Sequence, residues 1–583
     1  MDGLIWSRKE LSLTGMTAGL ILGLVVFFIA IIIINSRTDV KKARERIRKS
    51  WGKPPDESYR PEDFESISSY FRGLEKKRDS KFLIDDITWC DLDMDDIFAL
   101  LNRTETTPGE ATLYRLLREP AFDLDILEKR RRLIELFQKS RDDREKIQFI
   151  LTGLGKNRQL DLTESFLHPV PTNPWRLRIY RLLVTIAVLS PLVLFIHEGL
   201  GALLIMVACA VNMFVYYSRR FKIVGELTML RYVVRLVGNT GQLLEAGLTA
   251  VELAEFKTEL RQVYEKIKGI GRRLLFPDSG SGSISDQVVE WLRIVLLKDL
   301  IDYEYLRNAA FEHRRELIEA YDAVGLLDSL LAVASFRDSV AFYCSPDCRS
   351  TAARDGSCLE FEDIYHPLLR NPILNSLTTD RSVLITGSNA SGKSIFLKTV
   401  AVNAILAQSF CTALARKYSS PLFAVLTSMA LRDSIRDGES YFIAEIKSLK
   451  RILDYLNEET PCLCLIDEVL RGTNTIERIA ASSQALRHLA ARNCLCMAAT
   501  HDLELTFMLE GTYRNVHFQE TVTDETIIFD FKMRDGRATS RNAIKLLRLM
   551  GYTPEIVEAA EKQAEILAAK GAERYPGIDI QEQ

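Results

Sequence analysis

The segment Gly387-Ser388-Asn389-Ala390-Ser391-Gly392-Lys393-Ser394 has the spacing G-x-x-x-x-G-K-[ST], the pattern of a loop that wraps a chain of phosphates. Its glycines let the backbone approach the phosphates, and the start of a helix running on through Ile395 favours their charge. Lys393 would reach the β and γ oxygens, and Ser394 would hold Mg²⁺. A second element supplies acids. Pro461-Cys-Leu-Cys-Leu-Ile is apolar and ends in Asp467-Glu468. Asp467 suits the Mg²⁺ site, and Glu468 suits a general base that polarises water. A third apolar run, Cys494 to Ala499, leads to Thr500-His501-Asp502, where His501 would sense the terminal phosphate. These residues describe Mg²⁺-dependent hydrolysis of ATP to ADP and phosphate.

Three such groups converge only if short strands carry them to one edge of a sheet. Ser382 to Thr386, Cys462 to Ile466 and Cys494 to Ala499 are strand-like runs alternating with helical patterns, which predicts a parallel α/β domain over 358–565. The paired cysteines in these runs read as small buried hydrophobes on strands rather than as a disulfide framework. Upstream, apolar residues recur at helical spacing over 81–175 and again over 223–345, two halves of an all-α core domain. Pro277 to Ser283 reads as a loop. Asp85, Asp86, Asp91, Asp93, Asp95 and Asp96 read as solvated helix starts. Residues 566–583 form a C-terminal tail.

With 76 Lys+Arg against 79 Asp+Glu, the net charge of -3 excludes a polycation that coats nucleic acid indiscriminately. A mean hydropathy of -0.01 in a chain that is 27% charged requires apolar residues to be concentrated somewhere. Within 1–36, Gly15 to Ile34 is twenty residues without a charge, enough to span about 30 Å of hydrocarbon. A basic juxtamembrane linker, predicted to be irregular, follows over 37–80. Within 176–222, the runs 182–196 and 202–217 form an apolar hairpin. Arg176, Arg178 and Arg181 precede it and Arg219, Arg220 and Lys222 follow it, while its turn has no Lys or Arg. The positive-inside rule then predicts a multi-pass protein of the cell membrane with its soluble domains in the cytoplasm. Pro191 is tolerable in a membrane helix.

At this level of detail the sequence resembles the MutS family, relatives of the ABC ATPases. Thr386 to Ser394 resembles that family's T-G-P-N-x-x-G-K-S, Asp467 to Thr475 its D-E-x-G-R-G-T-S-T, and Ala499 to Leu505 its A-T-H-x-x-E-L. Gly438 to Phe442 is similar to its G-x-S-T-F, and Tyr365-His-Pro367 to its R-H-P. Thr106 to Gly109, with Leu113, Leu117, Pro120 and Arg131, follows its core-domain pattern. The resemblance implies an ABC/MutS-like α/β P-loop domain beside the all-α core and the transmembrane helices. It implies a homodimer through the ATPase domains, in which Ser440 caps the γ-phosphate bound by the partner. It also implies that Gln408 links nucleotide to the helical part and that mismatched DNA is bound. Departures are Leu470 for a glycine, Asn474 for a serine, and Glu477-Arg478 for Asp-Gly. An anchor and linker precede residue 80 where the family has its mismatch-reading module. An ATP-gated scaffold acting on a protein or lipid partner is the alternative reading.

Overall fold

The computed structural model describes residues 40–55, 58–75, 80–158, 173–271, 284–349, 359–388, 391–429, 441–456, 460–470, 473–522, 527–538, 544, 547–548 and 550–574. The predicted span 15–34 and the loop 277–283 lie outside them. The chain divides into two units by its internal packing.

The first unit comprises the described residues of Asp56–Glu135, Arg158–Pro169 and Val324–Gln583. Its strands are β1 (Asp347–Arg349), β2 (Leu359–Ile364), β3 (Asn375–Thr379), β4 (Val383–Thr386), β5 (Lys417–Pro421), β6 (Ala424–Ser428), β7 (Cys462–Asp467), β8 (Cys494–Ala499), β9 (Arg514–Val522) and β10 (Ile527–Asp535). One sheet has the order β1-β5-β2-β3 and the other β10-β9-β4-β8-β7-β6. In the larger sheet only the β10–β9 pair is antiparallel. Strands β4, β7 and β8 are covered on both faces over their apolar residues, which is why they read as apolar runs rather than alternating ones. Cys462, Cys464 and Cys496 are fully buried among them, as small hydrophobes.

Helices attach to this sheet through polar contacts that hydropathy does not reveal. Thr106 caps the helix Thr107–Arg118, its hydroxyl accepting from the Gly109 amide. Asp328, buried, accepts in turn from the Thr106 hydroxyl at 2.6 Å and the Thr106 amide at 2.9 Å. A Cβ on Gly109 would fall 2.1 Å from an Asp328 oxygen, so only glycine permits this approach. The aspartate cluster is not simply solvated. Asp91 is buried and accepts from the Thr427 hydroxyl at 2.7 Å and the Met429 amide at 3.0 Å, both at the end of β6. Asp85 pairs with Arg451, and Asp93 with Lys398 at 2.5 Å. The linker prediction is also corrected: Pro61–Glu75 is a helix whose Ile67, Tyr70, Phe71 and Leu74 are buried. Their i, i+3, i+4, i+7 spacing outweighs the surrounding charge.

The second unit comprises the described residues of Met1–Pro55, Leu136–Asn157 and Val170–Ala323. Its helix Pro174–Val193 turns at 194–197 into Glu198–Glu245, a single 48-residue helix about 72 Å long. This helix runs unbroken through residue 222, where the sequence predicted a border. A Cβ on Gly201 would lie 2.5 Å from the Leu194 amide nitrogen, so the turn closes on a glycine. Among the described residues, Glu198–Glu245 is the one helix long and apolar enough to cross a membrane. Its first half exposes Leu203, Met206, Val207 and Phe214, while Leu227 to Leu244 is largely buried. There Asn239 donates to the Ile150 carbonyl at 2.6 Å, and Tyr232 to that of Gly155 at 3.0 Å.

Candidate nucleotide site

Strand register places the predicted chemistry in one row. Ile385 of β4 and Asp467 of β7 both pair with Ala499 of β8, so three neighbouring strands end level. Their carboxyl ends lie about 5 Å apart, the place where open parallel sheets bind ligands.

From β4 the chain enters the loop. Gly387 has φ 141° and Gly392 φ 100°, both in the region that favours glycine. A Cβ on Gly387 would lie 2.5 Å from the Phe518 carbonyl oxygen, and one on Gly392 3.0 Å from the Phe531 ring. The Ser391 hydroxyl donates to the Ser388 carbonyl at 2.7 Å, bracing the loop. Helix Lys393–Phe410 begins here, with Ile395 partly exposed in its first turn. The buried Lys393 ammonium donates to the Gly387 and Ser388 carbonyls, each at 2.7 Å, and lies 3.4 Å from His501 Nε2. The Ser394 hydroxyl, in the first turn of that helix, donates to Asp467 Oδ2 at the end of β7, so two hard oxygens from different elements meet at one point.

Glu468 leaves β7 in a left-handed conformation, φ 62°, held by its amide donating to the Ala499 carbonyl at 3.0 Å. Such a backbone costs a non-glycine residue about 1–2 kcal/mol and aims the side chain off the strand line. Glu468 Oε1 lies 2.9 Å from His501 Nε2. Leu470, where the resembling family has glycine, is also left-handed at φ 59°.

The structure thus brings Gly387, Ser388, Ser391, Gly392, Lys393, Ser394, Asp467, Glu468 and His501 together. Asn389, Ala390 and Ser440 lie outside the described residues. Gln408 is not brought to this site, a correction to the sequence reading. It lies fifteen residues beyond Lys393, about 22 Å along the helix. Its buried amide is spent on Phe423, donating to that carbonyl at 3.1 Å and accepting from that amide at 2.7 Å.

Two groups were not found from the sequence. Glu520 is buried and accepts from the Ser388 hydroxyl at 3.0 Å, yet it sits in a hairpin strand with no motif around it. Arg478, one of the departures, forms a two-point ion pair with Asp502 at 2.5 and 2.9 Å, fixing the residue after His501. At the far end of the loop helix, buried Arg337 donates to the Cys411 carbonyl at 2.6 Å and the Phe410 carbonyl at 3.2 Å. Arg130 donates to the Ser409 carbonyl at 2.8 Å. Both guanidiniums neutralise the negative end of the helix that starts at Lys393.

A glycine-braced phosphate loop on the central strand, with acids and a histidine from its neighbours, defines a P-loop-type α/β domain. The family model MutS domain V matches residues 383–568. The chain is 28% identical over 270 residues to the DNA mismatch repair protein MutS of Thermus thermophilus, the value being the same for each of two strains of that organism. It is 27% identical to that of Thermus caldophilus. Each match covers 46% of this chain and 32% of the relative. Residues 383–568 therefore match MutS domain V, and the chain spans about a third of the length of these curated relatives.

Proposed function

We propose that this chain is a membrane-anchored MutS-type ATPase that binds and hydrolyses ATP at the ends of β4, β7 and β8. The observation carrying this reading is the convergence of Lys393, Ser394–Asp467 and Glu468–His501 on a loop whose glycines leave room for phosphate. The paired oxygens of Ser394 and Asp467 are the hard donors that Mg²⁺ takes, and the ion would supply charge neutralisation on the phosphates. Lys393 would exchange its carbonyl partners for phosphate oxygens. Glu468 would accept a proton from water, and His501 would hold the carboxylate in place. Ser440 from a second copy would complete the site in a dimeric sandwich.

The named relatives support mismatched-DNA binding as the output. The exposed hairpin supports the other reading, in which the nucleotide cycle acts on a membrane or protein partner; the hairpin and the span 15–34 would anchor the chain with its soluble domains cytoplasmic. Substituting Glu468→Gln should lower single-turnover hydrolysis roughly 10²–10⁴-fold while keeping ATP binding and trapping a dimer. Hydrolysis at the parent rate would remove Glu468 as the base. Binding to homoduplex, mismatched and branched DNA as salt is varied separates the outputs, since phosphate contacts give a steep salt dependence. A flat response on all three would eliminate the DNA reading.

A further inference from the structure

The helix Ile284–Val295 reads in sequence as part of a soluble helical domain, but its end reaches the apolar hairpin. Asn212, buried, donates from Nδ2 to the carbonyl of Val295 at 2.7 Å. Asn212 lies five residues inside the 217 end of the predicted arm 202–217, about 8 Å along the helix axis. The chain then reverses, and Lys298–Glu312 descends with Asp299 accepting from the Tyr216 hydroxyl at 2.7 Å. Ile294, Leu297 and Leu300 are buried against Tyr180 and Tyr216. On the lower side, Glu290 lies 3.4 Å from Arg220, within the basic collar.

Between these two levels, Trp291 is 61% exposed and Leu292 43% exposed. These exposed side chains therefore lie at a level between the apolar arm 202–217 and the basic residues Arg219, Arg220 and Lys222. A tryptophan at that height, apolar on one side and near cations on the other, suits the boundary between acyl chains and headgroups. The Asn212 bond has a reason in the same setting. The last carbonyls of a helix have no partner within it, and leaving one bare in hydrocarbon costs several kcal/mol.

We propose that the turn joining Ile284–Val295 to Lys298–Glu312 enters the membrane interface beside the hairpin, with Trp291 and Leu292 in contact with lipid. This rests on the membrane reading above, and two probes separate the two.

The full chain is reconstituted into phosphatidylcholine–phosphatidylglycerol vesicles with acyl chains brominated near the glycerol end or near the methyl end. The emission removed by Trp291→Phe should be blue-shifted and quenched chiefly by bromine near the glycerol end. A tryptophan introduced by Met206→Trp, at a 67% exposed hairpin position, should be quenched chiefly by bromine near the methyl end. Quenching at position 206 without any at Trp291 would overturn this proposal alone. Absence of quenching at both, with protein that does not float with vesicles, would overturn the membrane reading as well. A blue-shifted Trp291 that bromine does not quench would mean that a second copy covers this face, which also overturns the proposal.

Discussion

The two units treat their polar and apolar groups in opposite ways. In the sheet unit, apolar strands are covered on both faces and the exposed chemistry sits where they end. In the hairpin unit, Phe195, Met206 and Phe214 are exposed, while Asn212, Tyr216 and Asp299 are buried and bonded to neighbouring helices. The first arrangement is what water selects, since burial of apolar surface is worth about 25 cal/mol per Å². The second is what a bilayer selects, since lipid gives no reason to bury leucine and a strong one to satisfy a carbonyl. On the membrane reading proposed above, one chain follows both rules, and each unit can be broken by a substitution the other would tolerate.

The largest of these effects is expected in the hairpin. Val207→Arg puts a charge near the middle of the arm 202–217, at a cost of about 2.5–3.5 kcal/mol if that arm lies in lipid. The fraction of protein resisting alkaline extraction from membranes should fall sharply. On a water-facing helix the same change would leave extraction unaltered.

In the sheet unit, burial is the sensitive quantity. His366 is buried with its Nε2 unpartnered, and burial, followed by the nearby Lys398, pushes its pKa down to about 4. The unfolded chain therefore binds the extra proton between about pH 6.5 and 4, and the folded protein does not. The stability associated with this group is complete above about pH 6.5 and is lost as pH falls towards 4, by up to about 3 kcal/mol. His366→Phe should flatten urea-unfolding stability across that window, and an unchanged slope would assign the loss to other groups.

A smaller effect of about 2 kcal/mol is expected from Asp91→Ala. It leaves the Thr427 hydroxyl and the Met429 amide unpaired in the interior. The Asp91 carboxylate is raised by burial, so its ionisation is unfavourable on folding, and the bonds it accepts offset that. If denaturant midpoints show a change of only a few tenths of a kcal/mol, water has reached those donors.

The candidate site was legible because its chemistry is local in sequence. Lys393 and Ser394 sit in one loop, Asp467 and Glu468 end one apolar run, and His501 ends another. The alternation of strands and helices then required a parallel sheet, and the strands appeared within a residue or two of the apolar runs. The contacts that join helices to the sheet were not legible. Asp91 looks like any acid near a helix start, and its partner Thr427 lies 336 residues away. Gln408 was misplaced for a related reason: a resemblance fixes its place along the chain but not the direction its side chain faces. The helix Pro61–Glu75 was hidden by its charge, since only Ile67, Tyr70, Phe71 and Leu74 among its fifteen residues are buried hydrophobes.

The sequence by itself determined the phosphate loop, the acids, the histidine and the apolar hairpin, because each depends on residue type and short spacing. Only the tertiary structure decided that Ile385, Ala499 and Asp467 end in one row, that Glu468 turns left-handed towards His501, and that Val295 meets Asn212. Those relations depend on strand register and on helices far apart in the chain packing side by side, and neither is encoded in any single stretch of residues.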